Sequence, residues 1–509
     1  MLFNGGARSS TSGRTAASAG DRTANAGAGP GLAGDTLARL PLLAVMALLG
    51  GATIVTYLVR LTEPLALSPW EPAIAMEAVR LNAGLPLYES AHATHMYGPL
   101  LTVMLAGIFR FTGLNLLAAR AVFSVFALAV PVLLGALLCR GKLRVHLPFA
   151  ILLFLGINLR SNFIALSAQP DFMAGLFGIS GLALWIGRGR SRARLLISLG
   201  LFLAGMLTKQ TSAAFALAPI AHGVLWGRRW RLKNLALSAL PAGFLFAALV
   251  LIRLAWPALY HGMVTNAGAL RVNYDRIPTM AVYLVATFPL IFIAMATMLR
   301  SRTCIPGKER WIVSAIFVLA PLGVLTTVKS GGGLNSLLFA YLAMTALVVS
   351  QLGEIFRWMS VGGGRKRFCA ASMVALAVVC SFFFNYVNGI SVLFMKSGDD
   401  KYAQAVAFAR RLGPGLITPQ DPTIAYSANG HFGCDFFFEL DGRSVNGQWA
   451  TLPMPDMQRE LERASSVIEV KSYVPTPQFI SALGAAGYRR VDAPELADSA
   501  YGLWVKTGP

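Results

Sequence analysis

The feature that most constrains this chain is its succession of long apolar runs. They fall at about 38–60, 116–139, 147–165, 171–187, 194–208, 211–227, 234–256, 278–299, 311–328, 335–354 and 368–390. A bilayer core takes roughly 17–25 apolar residues per crossing helix, so most of these runs predict transmembrane helices. Those at 171–187, 194–208 and 211–227 are short, and are expected to tilt, to thin the bilayer, or to stop partway in a protein-lined cavity. Only 13% of the 509 residues are charged and mean hydropathy is +0.60, against about 25% charged in soluble domains. A soluble enzyme and a disordered scaffold are therefore excluded as descriptions of the whole chain.

The formal net charge of +21 does not point to nucleic acid. Most of the 44 Lys and Arg residues lie in short clusters between apolar runs, the pattern of cytoplasmic membrane loops and not of a basic groove along a phosphate backbone. Five clusters, at 140–144, 188–194, 228–233, 300–310 and 357–367, hold 19 basic residues. The loops between them carry mainly Arg80, Arg110, Lys209, Arg271, Arg276 and Lys329. With segment 98–112 lying along the membrane surface, all five clusters and the N-terminal tail share one face, as the positive-inside rule favours.

The expected fold is an α-helical polytopic membrane protein of eleven spans, N-terminus inside and C-terminus outside. Residues 1–36, rich in Gly, Ala, Ser and Thr, read as a disordered cytoplasmic tail. Residues 37–390 form the membrane domain, whose first outer loop, 61–115, carries interfacial helices. Residues 391–509 hold 13 of the 23 acidic residues and alternate helices (401–412, 455–464, 476–486) with strands (423–427, 466–470, 501–506). That alternation predicts a small α/β domain on the periplasmic side. The five cysteines, Cys139, Cys304, Cys369, Cys380 and Cys434, show no CxxC spacing, so neither a zinc site nor a disulfide framework is indicated.

Ionisable groups near the membrane are the candidates for chemistry, because a charge at the bilayer centre is costly. Glu71 follows Trp70 at the start of a helix-like stretch, either as a catalytic base or as an acid favoured by the helix dipole. Asp171, in SAQPDFMAG, either caps its helix or binds a metal or a substrate cation. His92, His95 and His261 are outer-loop metal candidates without ligand spacing. Lys209 lies between two short apolar runs and faces a cavity. Lys329 precedes glycines 331 to 333, where an ammonium and open backbone N–H groups can hold a phosphate, unless it is a lysine snorkelling beside a flexible turn.

In order, these segments resemble the C-type glycosyltransferase superfamily, the membrane enzymes that use polyprenyl-phosphate sugars, and bacterial family 39 within it. Trp70-Glu71, followed by Glu77, Arg80 and GLPLY from Gly84 to Tyr88, is similar to the acidic helix motif of its first loop. Tyr97-Gly98-Pro99-Leu100 resembles its Pro-Pro-Leu segment, Gln169-Pro170-Asp171 its second-loop acid, and Thr208-Lys209-Gln210 its Thr-Lys turn. Lys329 to Asn335 resembles its Lys-x-Gly-x-x-x-Asn turn. One acid, Glu71, stands where many members have two. The resemblance implies inverting transfer of a hexosyl or pentosyl unit from polyprenyl phosphate to a lipid, glycan or protein acceptor at the periplasmic face of the inner membrane. It implies Glu71 and Asp171 as catalytic acids. Trp70, Tyr97, Lys209, Arg271, Arg276, Lys329 and Asn335 would bind substrate. Either these cations or a divalent metal (Mg or Mn), held by Asp171, His92 and His95, would stabilise the leaving phosphate. Lys209 and Lys329 are expected to share that phosphate, and Glu71 to present an open carboxylate to the same cavity as Asp171.

Two rival classes remain from the sequence. A polyprenyl-lipid or sugar flippase would need polar residues through the bundle, whereas the candidates gather on one face. A non-catalytic envelope assembly protein of the same fold would use its tail for binding.

Overall fold

The computed structural model describes residues 32–62, 70–88, 97–138, 167–187, 191–226, 232–300, 307–329, 332–393, 399–432, 460–470, 477–496 and 501–507. The expected span at 147–165, His92, His95, Cys139, Cys304 and Cys434 lie outside them.

The helices are α1 (Leu32–Leu61), α2 (Trp70–Asn82), α3 (Pro99–Thr112), α4 (Leu116–Leu138), α5 (Asp171–Ile186), α6 (Arg192–Thr208), α7 (Ala218–Trp226) and α8 (Leu232–Ala255). There follow α9 (Ile277–Ala286), α10 (Leu290–Arg300), α11 (Gly307–Thr327), α12 (Leu338–Ser360) and α13 (Gly364–Leu393). Among the described residues, five helical stretches are long and apolar enough to cross a membrane: 40–59, 116–138, 236–255, 307–327 and 334–360. The innermost is 334–360, buried over most of its length because its apolar residues run all round the helix.

Two expected spans are not single helices. Residues 211–227 divide into a 3₁₀ stretch, Gln210–Leu217, and the short α7. Residues 278–299 break into α9 and α10, which meet at 71°. Pro289 accounts for that break: it lacks an N–H and disfavours helical geometry at Phe288 before it. Helix α3 has 14 residues, about 21 Å at 1.5 Å each, too short to cross the core. It buries one stripe, Leu101, Thr102, Leu105, Ala106 and Phe109, and exposes Val103 and Phe111. Helix α2 departs from the interfacial expectation, since every residue from Glu71 to Arg80 is buried.

The C-terminal region carries a four-stranded sheet in the order β1-β2-β4-β3, built from β1 (Leu416–Ile417), β2 (Ser466–Val470), β3 (Tyr488–Val491) and β4 (Tyr501–Lys506). β1 runs parallel to β2, and the other pairings are antiparallel. Helices α14 (Asp399–Leu412), α15 (Pro422–Asn429) and α16 (Pro477–Ala485) accompany it. The described end of the expected 455–464 helix, 460–463, is helical. The expected strand 423–427 is helix α15 instead. Asp421 caps it by accepting from Thr423 N, Pro422 occupies its first turn, and Gly430 ends it at φ +68°, a start and stop that outweigh the β-branched residues between them.

Candidate active site

Helix α2 starts at Trp70 with Pro72 in its first turn, where the missing N–H costs nothing. It stops at Gly84, whose φ of +78° suits glycine, while Leu85 N donates back to Arg80 O. The chain then turns through Tyr88 (φ +65°), a left-handed conformation rare for a bulky residue. Its hydroxyl donates to Tyr97 O at 2.7 Å and its ring meets Trp256 edge-on. Burial and the charge of Glu77 hold its phenol well above the usual range, so it remains a donor.

Glu71 is completely buried, and so is Arg120 on α4. Arg120 Nη2 donates to Glu71 Oε2 at 2.6 Å and its Nε to Oε1 at 2.9 Å, a fork-to-fork pair. Ala168 N donates to Oε1 at 3.1 Å. The open carboxylate expected at Glu71 is therefore not what forms. Its charge is neutralised by Arg120, and it anchors the segment that leads into α5.

Asp171 opens α5 but makes no capping hydrogen bond. Its Oδ1 accepts from Lys209 Nζ at 2.6 Å, with both side chains buried. Its Oδ2 is also buried and has no hydrogen-bond partner among the described residues. Lys209 is aimed there by a break in the chain. It has extended backbone (φ −145°, ψ 118°) between the end of α6 and the 3₁₀ stretch. Its ammonium lies 5.8 Å from the centre of the Tyr97 ring, which meets Trp70 edge-on at 6.3 Å. Gly98 allows this approach: a Cβ there would stand 1.9 Å from Leu207 O, just before the lysine. Trp70, Tyr97, Asp171 and Lys209 thus form one group, with the Glu71–Arg120 pair joined to it through Ala168.

Lys329 belongs to a second group. Its Nζ donates to Ala267 O at 3.1 Å, it forms an antiparallel bridge with Val272, and Asn273 N donates to Val328 O. This ties the 271–276 loop, with exposed Arg271 and Arg276, to the glycine turn. Gly332 must be glycine, since a Cβ would meet Thr326 O at 2.3 Å, and Asn335 Oδ1 sits against Gly333. Lys209 and Lys329 therefore take different partners, Asp171 and Ala267. Between the 3₁₀ stretch, α8 and α11, a groove of about 320 Å³ lined by Leu217, Leu245, Phe246 and Leu319 runs up to Gln210, the residue after Lys209.

No three His, Cys, Asp or Glu side chains among the described residues converge on one point. His261 is exposed. With Lys209 already balancing Asp171, the described residues do not by themselves supply the oxygen-rich shell that Mg²⁺ or Mn²⁺ needs.

Two participants escaped the sequence reading. Arg120 carried a signal, a lone charge inside the apolar run LLAARAVF, which has to find a partner. Asp421 carried none. It is buried where α15 packs on α2, and Tyr426 and Phe432 join the apolar cluster containing Trp70 and Tyr97. Burial is the main cause that pushes its carboxyl up to about 6, with Thr423 opposing, and with Glu71 raising and Arg120 lowering it further.

No protein-family model matches this sequence, and no curated protein matches it either. Among solved structures, ArnT from Cupriavidus metallidurans in the apo state is similar at a TM-score of 0.52 and 14% identity, over 92% of this chain and 99% of that one. ArnT from the same organism bound to undecaprenyl phosphate is similar at a TM-score of 0.50 and 13% identity, over 91% and 99%. This chain accordingly shares the fold of these ArnT structures.

Proposed function

We propose that the protein transfers a sugar from a polyprenyl-phosphate donor to an acceptor hydroxyl at the periplasmic face of the inner membrane. The fold supports the general class, and the basic loops on the opposite side support the face. The observation that carries the mechanism is the buried Asp171 Oδ2, which has no hydrogen-bond partner among the described residues. An acceptor hydroxyl placed against it would lose its proton to Oδ2 as its oxygen attacks the anomeric carbon. The bond from that carbon to the phosphate oxygen breaks, polyprenyl phosphate leaves, and the anomeric centre inverts, by analogy with inverting glycosidases. Lys209 holds Asp171 in place through its other oxygen. Lys329, with the loop of Arg271 and Arg276, would meet the phosphate, and the apolar groove beyond Gln210 suits an isoprenoid chain. Glu71 serves as a positioning residue and Asp171 as the base.

The test is reconstituted protein supplied with defined polyprenyl-phosphate sugars and with lipid, glycan and peptide acceptors, product configuration being read by NMR. Inverted product, and its loss by roughly 10²–10⁴-fold in Asp171→Asn, is expected. Movement of intact donor across the bilayer without cleavage would instead favour a flippase.

A further inference from the structure

A second cavity lies at the other end of the bundle. It encloses about 710 Å³ between the last turn of α4, the last turn of α5, the first turns of α11, and α12, within the roughly 300–1,000 Å³ range of small-molecule sites. Asp171 begins α5 and this cavity surrounds its end at Ile186 and Gly187. Its Gly187 end lies about 24 Å along this 16-residue helix from Asp171, so a headgroup held at that end cannot reach the Asp171 site.

The walls are Leu, Ile, Ala, Phe and Trp side chains, and two cations, Arg194 and Lys308, stand in the lining. Both are set in place by the backbone. Lys308 Nζ donates to Leu137 O at 2.5 Å, at the end of α4, with further ammonium hydrogens to give. Arg194 lies over Gly187, where a Cβ would stand 2.3 Å from Nη2, so glycine there makes room for the guanidinium. Both belong to the basic clusters that charge counting assigns to the cytoplasmic side, where anionic lipids concentrate. An apolar chamber with two cations matches an anion carrying a hydrocarbon chain, and neither a neutral lipid nor a simple salt.

We propose that this cavity binds an anionic glycerophospholipid of the cytoplasmic leaflet. Its phosphate lies between Arg194 and Lys308, and an acyl chain fills the space beside Trp311. The lipid braces α4, α5 and α11 at the end remote from the catalytic group.

Trp311 lines the cavity, stacked on His222 at 3.7 Å, and so reports occupancy. Full-length protein is reconstituted in phosphatidylcholine vesicles containing either dibrominated phosphatidylglycerol or dibrominated phosphatidylcholine, and tryptophan quenching is compared. Stronger quenching by the brominated phosphatidylglycerol is expected. That excess should disappear in W311F, which removes the reporter, and fall at least several-fold in R194Q, in K308Q and in the double variant. Equal quenching by both lipids would overturn the proposal. So would an excess that survives in W311F, which marks only a general layer of anionic lipid. An excess abolished by free inorganic phosphate at matched ionic strength would also overturn it, as an anion site without a lipid chain. If K308Q loses its fold through the lost bond to Leu137, R194Q alone decides.

Discussion

Gly98 and Leu207 touch backbone to backbone, closely enough that a Cβ on residue 98 would stand 1.9 Å from the Leu207 carbonyl oxygen. The contact clamps the start of α3 onto the last turn of α6 and sets Tyr97 beside Lys209. Backbone cannot give way as a side-chain tip can. Gly98→Ala should therefore cost about 1–3 kcal/mol in stability and move Tyr97 off the lysine. Thermal unfolding in detergent together with transfer assays checks this. A variant as stable and active as the parent would show that the contact is not needed.

The Glu71–Arg120 pair has no water to fall back on. Removing one partner strands the other as a buried charge, at about 3–5 kcal/mol, while replacing both with apolar groups of similar size is far milder. Arg120→Met should lower expression and stability sharply, and Glu71→Met with Arg120→Met should recover much of that loss. A double-mutant cycle on thermal stability measures the coupling. A simple sum of the two losses would mean that the pair does not act as a unit.

Lys209 and Asp171 should separate folding from chemistry. Asp171→Asn keeps an oxygen for the lysine to donate to, so the protein should fold and still bind donor while turnover collapses. Lys209→Met leaves a buried carboxylate without its counter-charge and should cost about 3–5 kcal/mol in stability. Thermal unfolding, donor binding and turnover of both variants are the measurements.

Asp421 links pH to the packing of the C-terminal region. Its carboxyl is pushed from 3.8 up to about 6 in the fold, so the folded state binds this proton more tightly than the unfolded one. Stability from this group is least above pH 6, grows as pH falls through 6, and is complete below 3.8. The full effect is about 3 kcal/mol, of which roughly 1 appears between pH 7 and 5. Hydrogen-exchange protection factors across 399–432, corrected for the intrinsic pH dependence of amide exchange, should rise over that interval. Asp421→Asn, neutral throughout, should have higher protection factors at pH 7 and show no such rise.

The sequence by itself determined the class of the protein. Long apolar runs and basic clusters on alternate loops are local properties of composition and length, and the bilayer's thickness translates them into helices. Charges beside membrane segments are costly and so informative, which singled out Asp171, Lys209 and Lys329 as candidates. Two further features follow from local signals that the apolar period masks: Pro289 breaks 278–299, and Asp421 with Pro422 starts a helix where the β-branched residues at 423–427 suggest a strand. Other matters were decided only in three dimensions. Above all, the tertiary structure decided which partners Glu71 and Asp171 take. Both looked alike as acids at helix starts. Arg120, 49 residues from Glu71 and on another helix, took both oxygens of the first, while Lys209 took one oxygen of the second and left the other buried without a partner among the described residues. Ion pairing of this kind is a matter of distance in space, and a sequence records only distance along the chain.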